Sequence, residues 1–228
     1  CMKDNSNGNC HIFVAEMEKG GFGASYNFDA RLIEYATYNK RESWEETILY
    51  KGMGTHQATV YDIDNDGEFE IIGKVWGKAY KIPRVQIFKK TGLFTQNISF
   101  KHKFIDRDKP YTGTEIFTAD VDGDGLDDII CGAWWYKNPT WQRFEIPGVY
   151  QVINAYDIDG DGCKEFIATK RSENYNEKSF YSGLTSKLCW IKPVDPLKGE
   201  WLEYPIGEGL GDWPHGTLIG PFLPNGRL

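Results

Sequence analysis

Three acidic segments of one pattern recur along the chain, and this repeat constrains the fold more than any other feature of the sequence. The segments are YDIDNDGEFEIIG at 61–73, ADVDGDGLDDIICG at 119–132 and YDIDGDGCKEFIA at 156–168, and they superimpose without gaps. Two eroded copies, around Gly8 and Gly226, keep the central glycine but lack the carboxylates. Repetition at this period predicts an array of similar structural units.

The segments between the loops have the character of β-strands. Short runs rich in β-branched and aromatic residues alternate with clusters of Gly, Pro, Asn and Lys, and no segment predicts a long amphipathic helix. The first two intervals between repeat glycines predict strands at 12–16, 32–36, 46–49, 57–62, 70–76, 85–89, 100–105 and 116–120. The later intervals contain the runs DIICGAWWYKNP, WQRFEI, VINAYD, EFIATKR, KLCWIK, WLEYPI and GTLIG.

About four short antiparallel strands per repeat is the make-up of a β-propeller blade, in which radial packing protects the sheet edges. We therefore predict an all-β fold, a β-propeller of four-stranded antiparallel blades. Residues 1–228 are expected to form a single propeller or a part of a larger one, with repeat glycines at positions 8, 67, 125, 162 and 226. A solenoid or a sandwich explains the period less well, because these repeats are too long for the usual solenoid coils.

Each intact loop offers the ligands that calcium prefers. Ca²⁺ takes about six to eight oxygens, from carboxylates and backbone carbonyls. The loops supply carboxylates at positions 1, 3, 5 and 9 and a backbone carbonyl at position 7, while glycine at position 6 permits the sharp turn. The sequence predicts three structural Ca²⁺ sites with these ligands: Asp62, Asp64, Asp66, Glu68 and Glu70; Asp120, Asp122, Asp124, Leu126 and Asp128; Asp157, Asp159, Asp161, Cys163 and Glu165.

Two other interpretations of the acidic loops compete with the interpretation as calcium-binding loops of a propeller. An EF-hand needs a bidentate glutamate at position 12 and flanking helices, but position 12 is Gly73, Cys131 or Ala168 and a β-run follows each loop. The second alternative is an ordinary acidic turn, because Asp and Gly favour turns for backbone reasons alone. Crowded carboxylates repel one another without a cation, and their recurrence in register favours the metal.

Charge and composition limit the partners. The formal net charge is −7, with no basic stripe, so we expect no nucleic acid as a partner. No stretch approaches the roughly 18 apolar residues of a membrane helix, and we expect no membrane span. Cys1 has an alternative interpretation as the lipidated cysteine of a lipoprotein, which we do not favour because it adjoins a repeat element. The sequence does not predict an oligomeric state.

The loops and the strands that follow them resemble a known repeat family. The segments DVDGDGLDDIICGAWWYKNP and DIDGDGCKEFIATK are similar to FG-GAP (VCBS) repeats, the calcium-loop blades of integrin α-like propellers and of many secreted bacterial proteins. This resemblance implies a structural metal that ties the turn between two strands of a blade. It also implies an extracellular, periplasmic or cell-surface location, with a carbohydrate or an extracellular protein as ligand.

A second set of polar residues lies six positions before the first aspartate of each loop, at His56, Thr114, Gln151 and, in the eroded register, His215. If the strand entering each loop is the innermost of its blade, these residues form a ring on the propeller channel. Two imidazoles with oxygen ligands suit a transition metal such as Zn²⁺. Tyr150 is a further candidate acid or base.

Two functions are therefore predicted. The first is a calcium-binding propeller module of a secreted or cell-surface protein that binds carbohydrate or protein. The alternative is a metal-dependent polysaccharide lyase or sugar dehydratase acting at the channel face, because the segments GTH and WPHG are similar to blade starts of FG-GAP-type sugar lyases and of aldos-2-ulose dehydratase.

Overall fold

The computed structural model describes residues 2–3, 10–15, 30–36, 43–51, 55, 57–75, 84–91, 100–109, 115–170, 186–209, 217 and 219. Within these ranges the secondary structure consists of sixteen β-strands without a helix, so none of them offers a helix able to cross a membrane. The strands form four-stranded antiparallel sheets in which neighbours in sequence are neighbours in space. The chain divides into two compact units, Cys1–Tyr111 and Thr112–Leu228.

The first unit contains two of the sheets. Its strands are β1 (Met2–Lys3), β2 (Cys10–Ala15), β3 (Ala30–Ala36) and β4 (Ser43–Tyr50), followed by β5 (Gln57–Tyr61), β6 (Glu70–Val75), β7 (Arg84–Lys90) and β8 (Phe100–Asp106). The buried side chains of Ile71 and Phe88 pack against Leu49 and Tyr50 of β4. Tyr50 also contacts the ring of His102 on β8, with the ring centroids 4.4 Å apart. The core of this unit therefore lies between its two sheets, as expected for packed blades.

The second unit repeats this arrangement. Its strands are β9 (Ile116–Ala119), β10 (Asp128–Cys131), β11 (Trp134–Lys137) and β12 (Gln142–Glu145), followed by β13 (Val149–Tyr156), β14 (Glu165–Lys170), β15 (Ser186–Asp195) and β16 (Glu200–Gly209). The two sheets are joined by a hydrogen bond of 2.9 Å, in which the Val152 N–H donates to the carbonyl of Gly132. Trp135 is fully buried and stacks on Phe144, with the ring centroids 4.7 Å apart.

The predicted fold class is confirmed: the described residues are all-β and form four-stranded antiparallel sheets of the propeller-blade type. The eight strands predicted before residue 121 match β2 to β9, with differences of a few residues at their ends. The run DIICGAWWYKNP forms two strands, β10 and β11, because a turn at Gly132 and Ala133 divides it. That a single propeller spans residues 1–228 stays a prediction.

Each loop lies inside a sheet, between its first and second strands. β5, β9 and β13 enter the three acidic loops, and β6, β10 and β14 leave them. In each of these sheets the first strand therefore precedes the repeat glycine, and the other three strands follow it. Of the run GTLIG, only Thr217 and Ile219 are described, and Thr217 Oγ1 donates a hydrogen bond of 3.1 Å to the Ile153 carbonyl. The loops around Gly8 and Gly226 lie outside the described residues.

Candidate metal centres

The three acidic loops share one backbone conformation, which their glycines make accessible. Gly67, Gly125 and Gly162 at position 6 have φ of 88°, 87° and 90°, in the left-handed region that L side chains rarely adopt. Position 4 is also left-handed, with φ of 56° at Asn65 and a glycine in the two later loops. The predicted role of the position-6 glycine in the turn is confirmed.

The position-1 aspartate caps the turn of its own loop. Asp62 accepts hydrogen bonds from the backbone N–H of Asp66 at 3.0 Å and of Gly67 at 2.9 Å. The equivalent carboxylates, Asp120 and Asp157, also accept from two backbone N–H groups each, but from the glycines at positions 4 and 6 of their loops. Aspartate suits this position because its short side chain folds back on the backbone that follows.

The position-9 carboxylate closes the loop from the other end. Glu70 is 1% exposed, and its Oε2 accepts a hydrogen bond of 3.1 Å from the backbone N–H of Ile63 at position 2. Asp128 and Glu165 are fully buried and make the same contact with the N–H groups of Val121 and Ile158. In the three sheets that carry an acidic loop, the carboxylate that begins the second strand is thus fixed against the start of that loop.

These contacts bring predicted ligands together in every loop. In each loop three carboxylates offer oxygens that all lie within 4.8 Å of one another; the groups are Asp62, Asp64 and Asp66; Asp120, Asp122 and Asp128; Asp157, Asp159 and Glu165. The side chain of Glu68 at position 7 pairs with Lys90 at 3.2 Å, and the ligand role of its carbonyl stays a prediction. Leu126 and Cys163 occupy the same position 7 in the later loops, so their predicted role also concerns the carbonyl.

One buried carboxylate oxygen in each loop accepts no hydrogen bond from the described residues, and this feature fits a bound cation. The three atoms are Glu70 Oε1, Asp122 Oδ1 and Glu165 Oε1. Two of these oxygens lie near a lysine ammonium without a hydrogen bond to it: Glu70 Oε1 is 3.5 Å from Lys89 Nζ, and Glu165 Oε1 is 3.3 Å from Lys192 Nζ. A buried acceptor without a hydrogen bond is unfavourable, and a cation ligated directly by these oxygens would satisfy it. Because the donor set consists of hard carboxylate oxygens, it fits Ca²⁺ in chemistry as well as in position.

The structure also places a lysine against each carboxylate group, which the sequence analysis missed. Lys89 Nζ is hydrogen-bonded to Asp64 and lies 2.5 Å from Asp66 Oδ2. Lys137 contacts Asp122 and Asp124 in the second loop. Lys192 Nζ lies 2.5 Å from Asp159 Oδ2 and 2.6 Å from Asp161 Oδ2 in the third. A sequence signal was present: in the third strand of each sheet that carries a loop, the lysine directly follows an apolar residue. These apolar residues are Phe88, Tyr136 and Ile191.

The carboxylates differ in pKa according to their surroundings. Burial raises the pKa of Glu70 and of Asp128 at position 9 to about 7. At position 5 the effect is opposite, because the hydrogen bond from the lysine lowers the pKa of Asp66, Asp124 and Asp161. Position 5 is therefore held ionised, while the buried carboxylates of the first two loops take up a proton near neutral pH.

The channel site predicted from His56 and His215 is not tested by this structure. His56, Thr114 and His215 lie outside the described residues. Tyr150 is 9% exposed, within β13, and Gln151 beside it is 1% exposed. The catalytic roles of His56, His215 and Tyr150 and the Zn²⁺ site stay predictions.

The sheets and loops together define a β-propeller-like all-β protein with three acidic loops that can hold cations. Among known proteins, the chain is 27% identical over 124 residues to integrin alpha-PS2 of Drosophila melanogaster. That alignment covers 52% of this chain and 9% of the integrin chain, so the chain corresponds to a small part of that protein. No protein-family model matches the chain. The distant similarity agrees with the resemblance of the loops to integrin α-like repeats.

Proposed function

We propose that the chain is a calcium-binding, FG-GAP-like propeller module of a secreted or cell-surface protein. The observation that carries the proposal is the buried carboxylate oxygen without a hydrogen bond in each of the three loops, next to carboxylates within 4.8 Å of one another. The distant match to an integrin alpha chain supports the extracellular setting.

The arrangement favours calcium over magnesium. Each loop offers carboxylates at four positions of a short, glycine-containing turn. Ca²⁺ accepts such irregular sets of six to eight oxygens at about 2.3–2.6 Å, whereas Mg²⁺ demands near-octahedral geometry at about 2.0–2.1 Å and usually retains several waters. In the proposed sites the ion neutralises charge and links the two strands that flank the loop.

Calorimetric titration of the metal-free chain with Ca²⁺ tests the proposal. We expect three ions per chain and a higher melting temperature with calcium. Asp159→Asn should reduce the number to two, because it removes a ligand from the third loop. Asp195→Asn is the matched control, since it removes the same charge from the end of β15 in the same sheet, where Asp195 pairs with Lys198. A folded chain that binds no Ca²⁺ at millimolar concentration would overturn the proposal.

We further propose that the partner of the module is a carbohydrate or an extracellular protein. Support comes from the resemblance of the loops to repeats of integrin α-like propellers and from the distant match to an integrin alpha chain. A glycan array and a binding assay with extracellular matrix proteins, each performed in calcium and in EDTA, test this partner class. Absence of binding on both platforms by the calcium-loaded, folded chain would argue against it.

A further inference from the structure

The three loop lysines occupy equivalent positions in their sheets. Strand pairing places Ile71 opposite Phe88, Ile129 opposite Tyr136, and Phe166 opposite Ile191. Each of these pairs consists of the residue after position 9 and the residue before the lysine. One step along the antiparallel ladder, Lys89, Lys137 and Lys192 therefore face the position-9 carboxylates. This recurrence follows from the sheet register.

The ammonium groups lie among the carboxylates that are the proposed calcium ligands. Lys192 Nζ contacts the carboxylates of positions 3 and 5 at 2.5 and 2.6 Å, and it is 3.3 Å from Glu165 Oε1. Lys89 repeats the set, with Glu70 Oε1 at 3.5 Å. The separations from positions 3 and 5, at 2.5 and 2.6 Å for Lys192, resemble the calcium–oxygen distance of about 2.3–2.6 Å, whereas those from position 9 are longer. Two cations bound to the same carboxylate oxygens would be only a few ångströms apart and would repel each other.

We propose that Lys89, Lys137 and Lys192 are tethered counter-ions that compete with Ca²⁺ for their loops, so that each loop exchanges its lysine for the ion. The proposal rests on the proposed calcium function and deepens it. Without calcium, the ammonium offsets the repulsion among the carboxylates and keeps the ligands in place. When the ion binds, the lysine moves aside.

The lysines can leave without rearranging the sheets. Their side chains are 33%, 23% and 23% exposed for Lys89, Lys137 and Lys192, so rotation about side-chain bonds brings the ammonium into solvent. The competition weakens calcium binding. Weak binding suits a module outside the cell, where calcium-binding modules have dissociation constants of about 10⁻⁴–10⁻³ M.

Two substitutions on β15 distinguish competition between a lysine and calcium at the loop from a general effect of removing one positive charge. Lys192→Met keeps the length of the side chain and removes its charge. Lys187→Met is the control, because Lys187 lies on the same strand, is 66% exposed, and faces Glu208 at 4.0 Å away from the loop. We expect Lys192→Met to tighten one of the three calcium sites about tenfold, as for the loss of two partly exposed ion pairs, and Lys187→Met to change none by more than about twofold.

A labelling measurement on the unmodified chain gives an independent readout. Lysine acetylation followed by mass spectrometry should show Lys89, Lys137 and Lys192 protected in EDTA and labelled faster in calcium. Lys187 and Lys198 should react at the same rate in both. This experiment does not depend on whether a variant folds.

The outcomes distinguish the two proposals. If the chain binds no calcium, the proposed function fails. If it binds three ions but Lys192→Met leaves the affinity unchanged or weakens it, calcium binding stands and the competition is refuted. Labelling of the three lysines that does not respond to calcium would overturn it as well.

Discussion

Replacing Glu70 by glutamine separates the structural role of this residue from its proposed role as a metal ligand. Glu70 is 1% exposed; its Oε2 accepts a hydrogen bond from Ile63, while its Oε1 has no hydrogen-bond partner. Glutamine has the same shape and retains an oxygen for the Ile63 N–H, but it is a weak ligand because it carries no charge. The variant should therefore keep the loop and lose the ion.

In the absence of calcium, the pKa of Glu70 gives the size and sign of the change in the free energy of unfolding that Glu70→Gln should cause. Burial raises this pKa from 4.5 to about 7, so the folded chain prefers the protonated acid. Below about pH 4.5 Glu70 is protonated in both the folded and the unfolded chain, so its burial carries no ionisation cost. The cost grows between pH 4.5 and 7, where the unfolded chain ionises first, and levels off above pH 7. At pH 8 the cost approaches about 3 kcal/mol, at 1.36 kcal/mol for each pKa unit. In EDTA, Glu70→Gln should gain up to about 3 kcal/mol at pH 8 and nothing at pH 4.

Calcium should act in the opposite direction. An ion present at one hundred times its dissociation constant stabilises the folded state by about 2.7 kcal/mol per site. Glu70→Gln lacks this contribution in the first loop, so its advantage over the parent chain should fall close to zero in saturating calcium. The number of ions bound per chain should fall from three to two.

Urea unfolding followed by tryptophan fluorescence, in EDTA and in calcium at pH 4 and pH 8, measures these differences. Glu68→Gln is the matched control, because the Glu68 side chain is 57% exposed and only its carbonyl is a proposed ligand. Its stability should stay within about 0.5 kcal/mol of the parent in every buffer. If Glu70→Gln responds to calcium as strongly as the parent chain, Glu70 is not a metal ligand and the reasoning is wrong.

Three further outcomes are expected. Since the position-9 carboxylates of the first two loops have a pKa of about 7, their apparent calcium affinity should fall by up to tenfold per pH unit below 7, and titrations at pH 5.5, 6.5 and 8 that show no change would contradict this. Gly125→Ala, at φ 87°, should lower the melting temperature through a strain of about 1–2 kcal/mol, whereas Gly207→Ala, at an ordinary backbone angle on β16, should change it little in the same thermal scan. Under the alternative function, elemental analysis should find a transition metal that is lost from the His56→Ala, His215→Ala double variant, and a chain that holds only calcium would refute that site.

The acidic loops could be predicted from sequence because their conformation is decided locally. Asp62 binds the backbone N–H groups of Asp66 and Gly67, only four and five residues away, and the left-handed glycine lies within the same turn. The strands between the loops were predictable for a similar reason, since β-branched and aromatic runs broken by turn residues are local signals. The third interval was harder to interpret, because a turn at Gly132 divides one apolar run into two strands.

The loop lysines could not be predicted in the same way, because their position depends on strand pairing. Lys89 is 23 residues from Asp66, while Lys137 is 13 residues from Asp124. No fixed spacing therefore relates the lysine to its loop. Only the register between the second and third strands, which sets the lysine opposite position 9, makes the three cases equivalent.

The hydrogen bonds of the loops imply that a cation stabilises their charge rather than determining their shape. At positions 1 and 9 the carboxylates already accept backbone N–H groups, and at position 5 the Asp66, Asp124 and Asp161 side chains accept from the residue at position 7. These bonds form within the chain and hold the turn. What they leave unbalanced is the negative charge of four carboxylates on a short segment, which either an ammonium or Ca²⁺ can offset. Removing calcium should therefore lower the free energy of unfolding while leaving the β-sheet content unchanged.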